Sequence, residues 1–243
     1  MHVRLSTVLA IGMLSLAMVA SAADIEKKYG VELRGGFGTI TMDDVNNLAD
    51  TLWGSGLTTA TKPSGTPLYG VSILYRSHPE FLWEIGYNAF PLASWESKNR
   101  ATGRVARMDI SGSEIYILPT YVWGKPNGLT LGIGAGPDLS FAVASRSGHT
   151  TDALNFSNAN GRTVGGMVKA FVELAMGKHN GVIVSAGYRN HYIDRIRKEA
   201  DSGGNREAIV IPNTTQYLPV DYSGAFVQIG WRFYYEPKPW RFE

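Results

Sequence analysis

Cysteine is absent from the 243 residues, so no disulfide can staple the fold and stability must come from sheet pairing and packing. An excess of either charge is also missing. The 23 Lys and Arg face 21 Asp and Glu, a formal balance of +2, and no basic patch is interleaved with stacking aromatics. That balance gives no nucleic-acid footprint, and no nucleic-acid partner is expected. A long apolar run is missing everywhere after the first residues, so a chain like this enters a membrane, if it does, as strands rather than helices. Metal-ligand spacing is lacking too: His78 and His179 fall in tight turns, His149 in a long loop, and His191 has no second histidine beside it. No metal or cofactor is expected.

What is present begins with an export signal. His2 and Arg4 precede a mostly apolar Leu5 to Val19, and Ala20-Ser21-Ala22 supplies the small residues of a cleavage site before Ala23. Residues 1–22 therefore read as a removed signal and 23–243 as one domain of barrel or sandwich size. Its 28 Gly, 12 Tyr and 6 Trp suit a wall with aromatic girdles and glycine-relieved packing.

Eight segments read as strands: Val31 to Ile40, Leu68 to Arg76, Phe81 to Phe90, Ser113 to Trp123, Leu129 to Val143, Thr163 to Met176, Gly181 to Ile193 and Tyr222 to Tyr235. The connections after the second, fourth and sixth are tight (Ser77–Glu80, Gly124–Gly128, Gly177–Asn180) and carry the Gly, Pro and Asn of hairpin turns. The others are long. With the N-terminus in the periplasm, every tight turn falls on that side and every long loop on the outside.

Alternation supports the segments independently. Ala225, Val227, Ile229, Trp231, Phe233 and Tyr235 make one apolar face of the last, with Gln228, Gly230 and Arg232 opposite; the second, third and fifth repeat the pattern. The less apolar faces carry Glu32, Arg34, Arg76, Glu84, Glu114, Asp138, Lys169, Glu173, Arg189 and Arg232, five acids and five bases. Turned inward, they would form a neutralising ladder in a narrow lumen, since unpaired charges there are costly. A soluble barrel of lipocalin type would invert the arrangement. Period two alone does not say which face is inside.

Gln228-Ile229-Gly230-Trp231-Arg232-Phe233-Tyr234-Tyr235 resembles the final-strand assembly signal of the small outer-membrane β-barrels of Gram-negative bacteria, the OmpA, OmpX and OmpW types, with Gln228, Gly230, Phe233 and Tyr235 at the signal positions. The resemblance also covers the export signal and the strand rhythm. It implies an all-β fold, an eight-stranded antiparallel up-and-down transmembrane barrel, in the outer membrane with both termini periplasmic. Its implied partners are outer-membrane lipids, lipopolysaccharide and the barrel-assembly machinery; a monomer is expected, with an extracellular partner open to the long loops.

In the first long loop Asp43 is expected to cap a short helix through Leu52 or Trp53, with Val45, Leu48, Ala49 and Leu52 in one stripe, read as loop packing, as a lid, or as a surface-lying helix that touches lipid or ligand. In the last long loop, Ala208 to Ile211 is a strand-like patch after Arg195, Arg197 and Lys198, read as wall extension or as a contact for lipopolysaccharide phosphates. Ser185, Arg189 and His191 share a face, and outer-membrane lipid-modifying enzymes exist in small barrels, but no nucleophile, base and orienting acid are indicated by spacing. Gly35-Gly36-Phe37-Gly38 lacks the context of a phosphate loop. The expected function is structural, adhesive or interactive with a plugged lumen and no enzymatic activity. The alternatives are a narrow conduit for small or hydrophobic solutes and, behind it, a lipid-modifying enzyme.

Overall fold

A computed structural model describes residues 28–51, 58–125, 127–148, 157–199, 204–211 and 214–235. The expected export signal at 1–22, the residues after Tyr235, His149, Leu52 and Trp53 lie outside the described residues. The elements are β1 (Tyr29–Thr39), α1 (Asp43–Thr51), β2 (Thr58–Thr61), β3 (Gly65–His78), β4 (Phe81–Asn99), β5 (Val105–Gly124) and β6 (Leu129–Gly148). They continue with β7 (Asn158–Ala175), β8 (Asn180–Asn190), β9 (Tyr192–Ile193), β10 (Arg197–Lys198), β11 (Val220–Asp221) and β12 (Gly224–Tyr235).

The expected eight-stranded barrel is corrected by this count. The described residues form twelve strands, ten in one sheet and two, β9 and β11, in another. The large sheet runs β10-β7-β6-β5-β4-β3-β1-β12-β8, all antiparallel, with β2 on β4; β7 pairs with β8 as well, joining the flanks of the path and leaving β10 beside β7. The sequence count failed in the stretches taken for loops. Beyond a bulge at Phe90/Ala93, β4 runs on to Asn99 because Ala93, Trp95 and Ser97 turn inward while Ser94, Glu96 and Lys98 turn out. The same period two with a polar outer face starts β5 at Val105, extends β6 to Gly148 and starts β7 at Asn158. The segment expected as Gly181 to Ile193 divides into β8 and β9, and Tyr222 and Ser223 separate β11 from β12.

Burial settles which face is inside. The charged face is buried, and a band of Val, Leu, Ile, Tyr, Trp and Phe is exposed, among them Ile73, Val164, Ile229 and Tyr235 at 65, 75, 62 and 66%. Water could not sustain so continuous an apolar surface, and lipid could. Tyr29, Tyr75, Tyr121, Trp123, Trp231 and Phe233 ring the end with the tight turns. Phe37, Tyr69, Tyr87 and Tyr188 ring the other, about 26 Å away along β1 at ~3.3 Å per residue, roughly 20 Å of height for a strand tilted by about 40°.

β4 to β7 rise well above this band, whereas β1, β8 and β12 stop near it. The shorter side is completed by the last long loop, and the upper interior is a hydrophobic cluster of both: Trp95, Met108 and Ile110 from the tall wall, Ile193, Ile196, Ile209, Leu218 and Val220 from the loop. α1 closes it. Met42 accepts the first helical bond from the Asn46 amide (2.8 Å), so Asp43 is the first helical residue rather than the cap, and Asp43 and Asp44 lie favourably at the positive end of the helix dipole. Val45, Leu48 and Ala49 are buried; the Trp95 indole donates to Asn46 (2.7 Å) and the Ser97 hydroxyl to the Ala49 carbonyl (2.8 Å).

One glycine marks how tightly the wall is drawn. At Gly36 in β1 a Cβ would overlap the Val227 carbonyl and the Gln228 Cα, both backbone atoms of β12 that cannot swing aside. Gly36→Val is expected to destabilise the folded protein by about 1–3 kcal/mol through overpacking, read as a lower urea midpoint for loss of the fast-migrating folded band on unheated gels. An unchanged midpoint would show that the β1–β12 seam has slack.

Candidate functional site

The candidate site is the interior itself, built from inward positions of the long strands. Arg34 of β1 is its hub. Its Nη1 donates to Glu32 (2.9 Å), Ser72 (2.9 Å) and Glu84 (3.0 Å), its Nη2 to Asn88 (2.8 Å) and to the Tyr116 hydroxyl. Tyr116 donates onward to Glu84 (2.5 Å), and Lys169 reaches both Glu84 oxygens at 2.6 and 2.5 Å. One carboxylate on β4 thus gathers groups from β1, β5 and β7. The side chains of Arg34, Glu32, Glu84 and Lys169 are at most 2% exposed.

Toward the tight turns, Arg232 donates to Glu32 (2.7 Å) and Glu173 (2.8 Å) and lies over the Phe171 ring at 4.1 Å. Tyr234 donates to Glu173 at 2.7 Å. Arg76 is buried opposite Leu82, a member of the apolar cluster that also holds Leu74, Val122 and Ile183, and its Nε has no hydrogen-bond partner among the described residues.

Toward the loops, Asn88 donates to Glu114, and His191 Nε2 stands 3.0 Å from Glu114 and 2.8 Å from Asp138. Ser140 donates to Asp138 at 3.2 Å. Arg189 donates to the Tyr222 carbonyl (2.9 Å) and stacks over Phe90 at 4.2 Å. An imidazolium at His191 would pair with both carboxylates. Neither of its ring nitrogens is hydrogen-bonded to a serine hydroxyl among the described residues, and Ser223 instead accepts from the His191 backbone amide at 2.9 Å.

All ten charged residues expected in the lumen are buried, five acids and five bases. The structure brings nine of them within hydrogen-bond or ion-pair distance of a polar partner among the described residues. The charge network read from the sequence left out Tyr116, Asn88, Ser72 and Tyr234, although alternation sets Ser72 and Asn88 on the faces of Arg76 and Glu84. Tyr116 and Tyr234 sit two residues beyond Glu114 and Arg232, and the same alternation that selected the charges would have found them. Of the four final-strand signal positions, Gln228 is buried with an amide lacking a hydrogen-bond partner among the described residues, Gly230 packs against Arg34 and Ile183, and Phe233 and Tyr235 face outward.

Buried ion pairs cross the lumen, and an apolar layer lies on its loop side. Among the described residues, the best-formed pocket is a crevice of about 30 Å³ beneath α1, lined by Leu48, Ala49, Trp95, Met108 and Arg146 among others.

This combination, an apolar exterior, a charged interior and tight turns at one end, defines a transmembrane β-barrel of the kind found in bacterial outer membranes. The comparison with solved structures agrees on the fold. The chain is similar to the outer membrane protein OprG from Pseudomonas aeruginosa, at 15% identity and a TM-score of 0.51, over 88% of this chain and all of that one. A weaker likeness, at 12% identity and a TM-score of 0.44, links 85% of this chain with 97% of the N-terminal β-barrel domain of OprF from the same organism. No family model matches the sequence, and no curated protein matches it.

Removing one partner of a buried ion pair strands the other, at a cost of about 3–5 kcal/mol. Glu84→Ala is therefore expected to destabilise the folded protein by about that much, measured as the urea midpoint of the folded band. Glu84→Met combined with Lys169→Met should recover part of the loss, since neither charge of that pair is then left behind. A double variant no better than Glu84→Ala would show that Lys169 and Glu84 are not coupled.

Proposed function

We propose that the protein is a non-catalytic barrel of the Gram-negative outer membrane, with both termini periplasmic, that contributes structure and a loop-borne interaction surface rather than a water-filled pathway. The observation that carries this reading is the interior: Arg34, Glu84, Lys169, Glu32, Arg232 and Glu173 bond to one another across the lumen, and an apolar cluster under α1 lies above them. Hydrated ions cannot pass without breaking those contacts. The outward Phe233 and Tyr235 fit recognition of the last strand by the barrel-assembly machinery, and the apolar band fits outer-membrane lipid.

The second reading, a narrow route for small or hydrophobic solutes, draws on the crevice beneath α1, whose lining is mostly apolar. Its size argues against a resident solute of any bulk. A lipid-modifying activity centred on His191 is disfavoured by the full burial of that residue and by the lack, among the described residues, of a serine hydroxyl hydrogen-bonded to its ring.

Purified protein reconstituted into planar bilayers is expected to give no stable ohmic steps at moderate voltage. Reproducible single-channel steps would overturn the plugged-lumen reading. Cell fractionation of the full-length precursor tests the location separately: recovery with the outer membrane is expected, and release as a soluble periplasmic protein would refute it.

A further inference from the structure

Outside the lumen, one charged surface is not used by any interaction described above. β10 adds to β7 above the point where β8 ends, with Arg197 opposite Asn160. On β7, Asn160, Arg162 and Val164 alternate onto the outer face, and Val164 is the most exposed apolar residue of the lipid band. Arg162 thus stands two residues, about 7 Å, above lipid-facing surface. Continuing the antiparallel register past Asn160 sets Arg195 opposite Arg162. Ala208 bridges to Arg197 on its other side, and Arg206 reaches back to Asn160 at 3.5 Å. Four arginines therefore share one outward patch at the rim of the apolar band.

The acids do not cancel it. Asp194 engages Arg195 at 3.2 Å, and Glu199 lies at the upper end of the strip, but Arg162 and Arg197 have no carboxylate partner among the described residues. Lys198, grouped with Arg195 and Arg197 in the sequence reading, alternates to the other face and pairs with Glu207 at 3.1 Å. Exposed Tyr188 and Tyr192 lie below, and Arg195 packs over Tyr217 at 5.5 Å, an aromatic setting typical of a headgroup interface.

We propose that the Arg162, Arg195, Arg197 and Arg206 patch is a docking site for the phosphorylated headgroup of an outer-leaflet glycolipid, a bisphosphoryl lipid A. Guanidinium forks match phosphate oxygens two at a time, and their height just above Val164 is where a lipid phosphate lies when its acyl chains cover the band. A soluble anion would have no reason to select that height. The proposal rests on the outer-membrane reading above and adds the partner and its residues.

The test uses the folded protein in phosphatidylcholine nanodiscs, with native mass spectrometry measuring uptake of bisphosphoryl lipid A and of lipid A stripped of both phosphates. Expected is a preference of about tenfold or more for the phosphorylated form, lost in R162A/R197A. R100A/R104A, which removes the same charge from the exposed β4–β5 turn, should keep it, and heat-modifiable migration confirms that each variant is folded. No phosphate preference, a preference surviving in R162A/R197A, or an equal loss in R100A/R104A would overturn the proposal. Fractionation separates the two readings: protein absent from the outer membrane refutes the location, whereas correctly fractionated protein without phosphate discrimination refutes this site alone.

Discussion

A carboxylate inside a narrow barrel has no water to retreat to, and Glu84 meets that constraint by accepting from Arg34, Tyr116 and Lys169 together. Those donors come from strands on different sides of the wall, so satisfying one buried charge ties β1, β4, β5 and β7 to a common point. Arg34 in turn satisfies Glu32, and Glu32 receives Arg232, which holds Glu173. Desolvation makes each member expensive alone, and only the connected set is tolerable. The proposed closure of the lumen draws on that same chemistry.

Above the network the solution changes from polar to apolar. The wall is lopsided, tall along β4 to β7 and short along β1, β8 and β12, so the upper interior would open sideways if left uncovered. The last long loop supplies Ile193, Ile196, Ile209, Leu218 and Val220 to the gap, and α1 lays Val45 and Leu48 on top. The same extension of β7 that creates the gap gives β10 an edge to pair with. The outward arginines are therefore a by-product of the wall's uneven height, since β10 pairs with β7 only beyond the last β8 partner at Gly166.

Period-two alternation made much of this legible before any coordinates. It grouped the ten charges on one set of faces and Trp231, Phe233 and Tyr235 on the opposite face, because a pleated strand sends successive side chains to opposite faces whatever surrounds it. It did not count the strands correctly. β2, β9, β10 and β11 are two- to four-residue pairings that exist only because a neighbouring edge is present, and the upper parts of β4 and β5 exchange an apolar outer face for a polar one where they leave lipid. Helix α1 was visible from its stripe. Its exact start was not, since a backbone carbonyl at Met42 took the role expected of the Asp43 side chain.

The sequence by itself determined which residues share a face, the overall neutrality of the inward charges and the contrast between tight and long connections, all of which are local properties of a chain of alternating residues. Only the tertiary structure decided which face is inside, which acid meets which base, and that Lys198 turns away while Arg197 joins Arg162. Each of those depends on strands distant in sequence coming into register, and register is fixed by closing the wall around charges that must be paired.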